Sequence, residues 1–502
     1  MSSRVAVVGA GISGLAAAHR LRTLLGPSAV ITVLEQRDRI GGVLRTVDLA
    51  GVPYDVGAEA FLTRRPEVPV LLAELGLSAV HPTGASASVR AAGRTGPLPG
   101  ATLLGVPTSA ARLDGLLSAE GLAAVAAEPD RPLTWDRDAD VALGGLLRER
   151  FGDELADRLA DPLLGGVYAG RVDLLGVRAT IPALAAALDA GAPSLTAAAD
   201  RATTPPASRR FPVRESADSR ARVGGSPGVS RPMPERESAD PGRTTAPPGP
   251  SPVFGAVPGG YRVLLDALVA AAGAEVRLGV TVRSLERRER GWRLTLGPTT
   301  DPELLDVDAV VLAVPAPAAA RLLAGVAPAA AGAASGIELA SSVVVALAYR
   351  PRDATGLPPT SGMLVAAGEP LSVKGVTHST NKWAHLAPDG LVRLRASLGR
   401  FGEAATLQVD DDELVARTRR DLAEVAGLTA DPVAVHVQRW GGGLPQYGVG
   451  HLDRVRTIGD GLPAGLAVAG AALHGVGVPA CVGTARAAAE RVVADLAAAT
   501  TG

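Results

Sequence analysis

The residues best suited to chemistry lie close to the start of the chain. Gly9-Ala10-Gly11-Ile12-Ser13-Gly14 follows the β-branched run Val5 to Val8 and opens a segment, Ile12 to Leu25, whose apolar residues recur at helical spacing. Glycines in that order permit a tight turn and let a pyrophosphate approach the free amides of the helix start. Glu35 closes the next strand-like run, Val30 to Leu34. An acidic side chain about 20 residues beyond the third glycine accepts the ribose hydroxyls of a dinucleotide. The residues after Leu34 select among dinucleotides. Glu35-Gln36-Arg37-Asp38-Arg39-Ile40-Gly41-Gly42 sets an arginine and a glycine pair directly after the acidic strand end. Adjacent glycines let backbone amides reach a second phosphate face, and Arg39 is suited to support that loop or the diphosphate by a forked contact. This pattern favours a flavin over a nicotinamide nucleotide.

A second glycine-rich turn, Gly470-Ala471-Ala472-Leu473-His474-Gly475-Val476-Gly477-Val478-Pro479, opens the last helical segment. Its amides and positive dipole end would face an anionic flavin edge and stabilise the reduced ring. Alone it reads better as a helix start with Pro in the first turn, and it gains weight as a flavin turn only beside the N-terminal unit. Seven histidines show no metal-ligand spacing, and no Gly-x-Ser-x-Gly elbow occurs. No metal and no catalytic side chain are expected, and redox chemistry is left to the bound cofactor. Cys481 is the only cysteine, which excludes an internal disulfide framework and points to a reducing compartment.

The elements that must position these turns are spread over 502 residues, 47% hydrophobic and 20% charged, with 50 basic against 51 acidic side chains. Such a chain buries a large core, is long enough for two or three domains, and has no global attraction for nucleic acid. The N-terminus lacks a secretory h-region and no stretch is apolar enough for a transmembrane helix, so a cytoplasmic protein is expected, with peripheral membrane contact left open. Residues 5 to 35 form a βαβ unit; the span 100 to 195 carries helical periodicity. Residues 196 to 252 are rich in Pro, Ser, Arg and Thr and repeat Arg-Glu-Ser-Ala-Asp at Arg214 and Arg236, the composition of a disordered insertion.

The chain resembles the protoporphyrinogen and coproporphyrinogen oxidase family of flavin enzymes, which shares an amine-oxidase-like fold. The carriers are the N-terminal glycine unit with Glu35 and Arg39, Gly57-Ala58-Glu59-Ala60-Phe61, Gly166-Val167-Tyr168-Ala169-Gly170, Val257-Pro258-Gly259-Gly260, Asn381-Lys382-Trp383, Arg439-Trp440 with Pro445-Gln446-Tyr447, and Gly475 to Cys481. The resemblance implies an α/β chain with a discontinuous Rossmann-like FAD-binding domain (1–85, 253–315 and 455–502). It implies a mainly helical domain lining the substrate site at 86–195 and a mixed-sheet substrate domain at 316–454.

The same resemblance implies that Gly9, Ala10, Gly11, Ile12, Ser13 and Gly14 bind the diphosphate and Glu35, with Gln36 beside it, the ribose. It places Gly42, Val43, Gly57, Ala58, Glu59 and Ala60 on the flavin side. Val282 would hold adenine through its backbone, and Trp440, Ala471, Val476, Gly477 and Val478 would lie against the ring. Gly166, Tyr168 and Lys382 would face the substrate. Arg45, Arg64, Arg65, Lys374, Lys382 and Arg400 are candidate partners for substrate carboxylates. Family enzymes remove six electrons from a porphyrinogen and pass them to O2, giving H2O2. The Asn381-Lys382-Trp383 segment resembles the soluble Gram-positive type, which implies coproporphyrinogen III as substrate, protoporphyrinogen IX as a second one, and transient contact with a ferrochelatase. The alternatives are an amine oxidase or carotenoid desaturase of the same fold, and a flavin-binding protein without activity. With Trp 4, Tyr 5 and Phe 5, aromatic residues are only 3% of the chain. That is sparse for the aromatic cages with which amine oxidases hold a substrate nitrogen.

Overall fold

The structure, a computed structural model, describes residues 2–204 and 252–501. The first β-branched run forms the strand Arg4–Val8, which pairs in parallel with Val30–Leu34 on one side and Ala309–Leu312 on the other. Glu275–Arg277 and Leu466–Val468 complete a five-stranded sheet with these two as its outer strands. Both faces are covered, as parallel sheets require. Val5 and Val7 pack on one face with the helices Ile12–Leu25, Tyr261–Ala272 and Val478–Thr501. Ala6 and Val8 pack on the other, against the three-stranded sheet spanning 282–307 and the helices Ala316–Leu323 and Pro328–Ser335. The nucleotide-binding unit is therefore gathered from both ends and the middle of the chain.

A seven-stranded sheet is built on Ala434–Pro445, Leu339–Tyr349, Val392–Leu398, Val373–His378 and Gly362–Val365, in that order. One face, with Val343, Val345 and Leu347, is buried with Leu414 and Leu422 of the helix Asp411–Ala426. The opposite face, with Val344, Ala346 and Trp440, packs on the hairpin Thr46–Asp55. Helices between Ala119 and Thr203 enclose a third core around Leu147, Phe151, Leu159 and Leu195. Inside it Arg150 Nη2 meets Glu128 Oε1 at 2.8 Å, and both side chains are almost fully buried.

Three boundaries differ from the sequence expectation. Strands Ala87–Ala91 and Arg94–Pro97 belong to the seven-stranded sheet rather than to the helical unit. They are joined by a tight turn in which Ala92 and Gly93 both have positive φ, 50° and 72°. An alanine does not advertise such a turn, which normally selects Asn or Gly. Helices 316–335 pack on the nucleotide-binding sheet through Leu322, Leu323 and Ala330, so that unit extends past 315. The low-complexity region does not begin at 196: the helix Leu195–Thr203 is capped by Ser194, and its Leu195 and Thr196 amides donate to the Glu128 carboxylate. Both copies of the Arg-Glu-Ser-Ala-Asp repeat lie outside the described residues.

Candidate functional site

The first turn puts its glycines to different uses. Gly9 has φ 102°, and a Cβ there would meet the Ala313 carbonyl oxygen at 2.4 Å. A Cβ at Gly14 would lie 1.8 Å from the Gly9 oxygen. Both glycines let backbone pass against backbone. Gly11 is different, since a Cβ there meets nothing nearer than the Gly42 Cα at 3.9 Å. Gly11 and Gly42 approach each other closely beside the N-terminus of Ile12–Leu25, where neither carries a side chain to cover the helix start. Ser13 is buried behind it, and Gly470 of the C-terminal turn comes within 4.0 Å of the Ser13 hydroxyl when given a Cβ. The Glu35 carboxylate is held at the end of its strand by the amides of Ala10 (2.8 Å) and Arg37 (2.9 Å). Gln36 is exposed beside it. Val280 donates to the Glu35 carbonyl at 2.8 Å, which brings Val282 to the glutamate end of the cleft.

Arg39 supports the second glycine loop. Its Nη1 donates to the Ile40 carbonyl at 3.1 Å and its Nη2 to the Gly42 carbonyl at 2.9 Å. Its guanidinium lies 6.0 Å from the centroid of the Trp440 ring. Burial and the neighbouring Arg37 and Arg45 charges lower its pKa. Gly57 passes so near the Val43 oxygen that a Cβ would stand 1.9 Å from it. Trp440 Nε1 donates to the Val56 carbonyl at 2.9 Å. Gly42, Val43, Gly57 and Trp440 thus gather on one side of the cleft, with Ala58 packed against the nucleotide-binding core.

Gly166 and Tyr168 end the helix Asp161–Tyr168. Gly166 is exposed and faces Leu364 of the seven-stranded sheet, whereas Tyr168 is buried and its pKa is pushed up to about 12. Tyr168 therefore stays protonated, and it packs against the Tyr447 ring at 5.5 Å between centroids. Tyr447 is the junction. Its hydroxyl donates to the Ala471 carbonyl at 2.5 Å and accepts from the Gly475 amide at 2.7 Å, while its ring stacks on His451 at 3.9 Å. Gln446 Nε2 donates to the Tyr168 carbonyl at 2.8 Å. Val476 packs on the helical core, so the turn holding Ala471, Gly477 and Val478 bridges two cores. Lys382 lies beside Glu59, and its neighbour Trp383 shares a buried cluster with Trp440. Its ammonium lies 3.8 Å from Glu59 Oε2 and over the Phe254 and Trp383 rings, and Trp383 Nε1 also donates to Glu59. Ala60 lines that same cluster.

The model of flavin containing amine oxidoreductases matches residues 12–493. The chain belongs to that family. Within it, the chain is 44% identical to a coproporphyrinogen III oxidase of Mycobacterium tuberculosis, over 98% of its own length and 97% of the relative's. A protein of the same description from Propionibacterium freudenreichii is 33% identical over 97% of this chain and 90% of the relative. Among solved structures, a protoporphyrinogen oxidase from Exiguobacterium sp. 255-15 superposes with a TM-score of 0.79 at 27% identity, covering 99% of each chain. The chain is thus a member of the porphyrinogen-oxidase branch of the flavin family, as its motifs indicated.

The residues present fit the family's flavin. The uncovered helix start at Gly11 and Gly42, the anchored Glu35 and the helix that begins at Val478 are what its nucleotide and ring require. Tyr447, Gln446 and Arg395 were not assigned from sequence. Arg395 lies on the same sheet face as Ala346 and donates to the Asp55 carbonyl at 3.3 Å. The period-two alternation of Val392–Leu398 was a signal for its face, whereas nothing local marks the partners of Tyr447.

Proposed function

We propose that the chain is an FAD-dependent oxidase that converts coproporphyrinogen III to coproporphyrin III in haem biosynthesis, and accepts protoporphyrinogen IX as a secondary substrate. O2 is the final acceptor and H2O2 the by-product. The observation that supports it best is the convergence of the two glycine turns with Trp440 on one side of Tyr447 and the Gly166 to Tyr168 helix end on the other. Relatives sharing 44% of residues over nearly the whole chain carry the coproporphyrinogen name, which favours that substrate.

Bound FAD supplies the two-electron acceptor. The amides at the start of Ile12–Leu25 would hold its diphosphate within the Gly9 to Gly14 turn, and the Glu35 carboxylate its ribose, with adenine against the Val282 backbone. Trp440, Ala471 and Val476 to Val478 would lie against its ring, and the N-terminus of Val478–Thr501 would favour negative charge there. Gly166 leaves room for a large flat substrate beside that plane. The protein's contribution is orientation and exclusion of water, not proton transfer by a side chain. We place the enzyme in the cytoplasm, in transient contact with a ferrochelatase that takes the porphyrin onward. No helix among the described residues is long and apolar enough to cross a membrane.

Aerobic assay of the purified yellow protein tests this reading. Porphyrin fluorescence and H2O2 should rise with coproporphyrinogen III, more slowly with protoporphyrinogen IX, and not with a panel of amines. A colourless protein, or no fluorescence gain with either porphyrinogen, rules the reading out.

A further inference from the structure

Of the six basic side chains with the right chemistry for a carboxylate, four are already engaged. Arg45 donates to Gln438 Oε1, and Arg65, Lys382 and Arg400 are paired with Glu67, Glu59 and Asp161. Arg64 is exposed. Lys374 is only 8% exposed, and its ammonium has one hydrogen bond, to the Gly399 carbonyl at 2.7 Å. Among the described residues no carboxylate lies within ion-pair distance of it. A buried ammonium without a counter-ion is costly, and burial lowers its pKa to about 7.

Lys374 lines a cavity of about 250 Å3 with Arg171, Arg400, Glu369 and Glu403. Those two acids are committed. Glu403 pairs with Arg171 at 3.1 Å and accepts the Arg400 amide at 3.0 Å. Glu369 pairs with Arg90 at 3.1 Å and accepts the Gly93 amide at 2.9 Å. The cavity thus holds one buried cation whose charge is unmatched.

Its position relates it to the site. A shift in register between Val373 and Gly375 turns Lys374 out of the strand ladder. Gly399, its acceptor, lies beside Ser342, and Ser342 pairs with Trp440. The strands that carry Lys374 and Trp440 are three spacings, or about 14 Å, apart across the sheet. Arg400 closes the cavity on the side of the Gly166 helix, where its Nη1 would lie 2.7 Å from a Cβ at Gly165.

We propose that this cavity is a carboxylate-binding site, with Lys374 donating to the carboxylate. If the chain is a porphyrinogen oxidase, the carboxylate is a side arm of the substrate, held while the macrocycle lies near Gly166. The Lys374 assignment rests on that reading only for the source of the carboxylate.

With the flavin-loaded enzyme, Lys374→Met and Lys374→Gln should raise both KM for coproporphyrinogen III and Kd for coproporphyrin III about tenfold or more. Flavin content and kcat should change little, and Lys374→Arg should recover most of the loss. Succinate, the small-carboxylate probe, should stabilise wild type against heat but not Lys374→Met. Succinate protection through Lys374 with porphyrin Kd unchanged in the variants overturns the substrate arm as the source. Unchanged KM and Kd with no succinate effect overturn the site. If wild type oxidises neither porphyrinogen but binds succinate through Lys374, the proposed function fails and the carboxylate site stands.

Discussion

The glycines of the first turn separate folding from binding at single positions. Gly14→Ala places a methyl group 1.8 Å from the Gly9 oxygen, a clash with backbone that no rotamer relieves. It should cost about 2–4 kcal/mol and lower the yield of folded protein. The Cβ of Gly11→Val stands at an ordinary contact distance, 3.9 Å from the Gly42 Cα, so the variant should fold with a near-wild-type melting temperature, yet purify without flavin because it fills the diphosphate space. Melting curves and the visible flavin absorbance of both variants distinguish the two roles. A fully flavin-loaded Gly11→Val would refute the placement of the diphosphate. The glycine spacing was legible in the sequence, and at Gly9 and Gly14 it has a local consequence, a positive φ or a close approach, that Gly11 lacks. Which of them touches ligand was not, since that depends on Gly42, thirty residues away and on a different loop.

At the scale of elements, the strand Ala434–Pro445 and the turn beyond it connect what the chain keeps apart. Trp440 ties that strand to the hairpin 46–55 through Val56, and Tyr447 ties it to the C-terminal turn. Tyr447→Phe removes one hydroxyl and leaves the Gly475 amide without its acceptor. The expected loss is about 1–3 kcal/mol, with faster flavin dissociation, because the turn against the ring is no longer pinned to the substrate side. Thermal unfolding and the rate of FAD release on dilution, followed by the rise in flavin fluorescence, measure the two effects. Unchanged flavin release would show that the turn is held by its packing alone. Strands and helices here were readable from period-two and helical patterns, as in Val392–Leu398 and Asp411–Ala426. The hairpin 87–97 was not, because Ala92 at φ 50° is an uncommon residue for that turn, and its partner strand Gly362–Val365 is more than 260 positions away.

At the scale of the whole molecule, three cores must close on one another, and the chain crosses between them repeatedly. The nucleotide-binding sheet was legible at its first βαβ unit because strand, turn and helix are contiguous there. Its later strands fall within 253–315 and 455–502, whereas the helices 316–335 were left outside it, since only packing on Val8 and Leu466 decides which unit they join. The same reasoning moves the edge of the low-complexity region. Residues 196–203 are helical, with Ala198 and Ala199 fully buried and the Asp200 carboxylate accepting the Ser109 amide at 3.0 Å, so any deletion must start beyond Thr204. The contacts that build the cores and the cofactor cleft as described are made by residues outside 205–251. Replacing that segment with a Gly/Ser linker of about 12 residues, able to span about 40 Å, should leave flavin content intact. The shorter connection should change stability by only about 1 kcal/mol, because the entropy of closing a connection depends weakly on its length. Flavin-to-protein ratio and denaturant midpoint check this. A colourless or insoluble product would mean that the segment itself completes the cofactor cleft, whereas a loaded protein with altered KM for coproporphyrinogen III would assign it to substrate access.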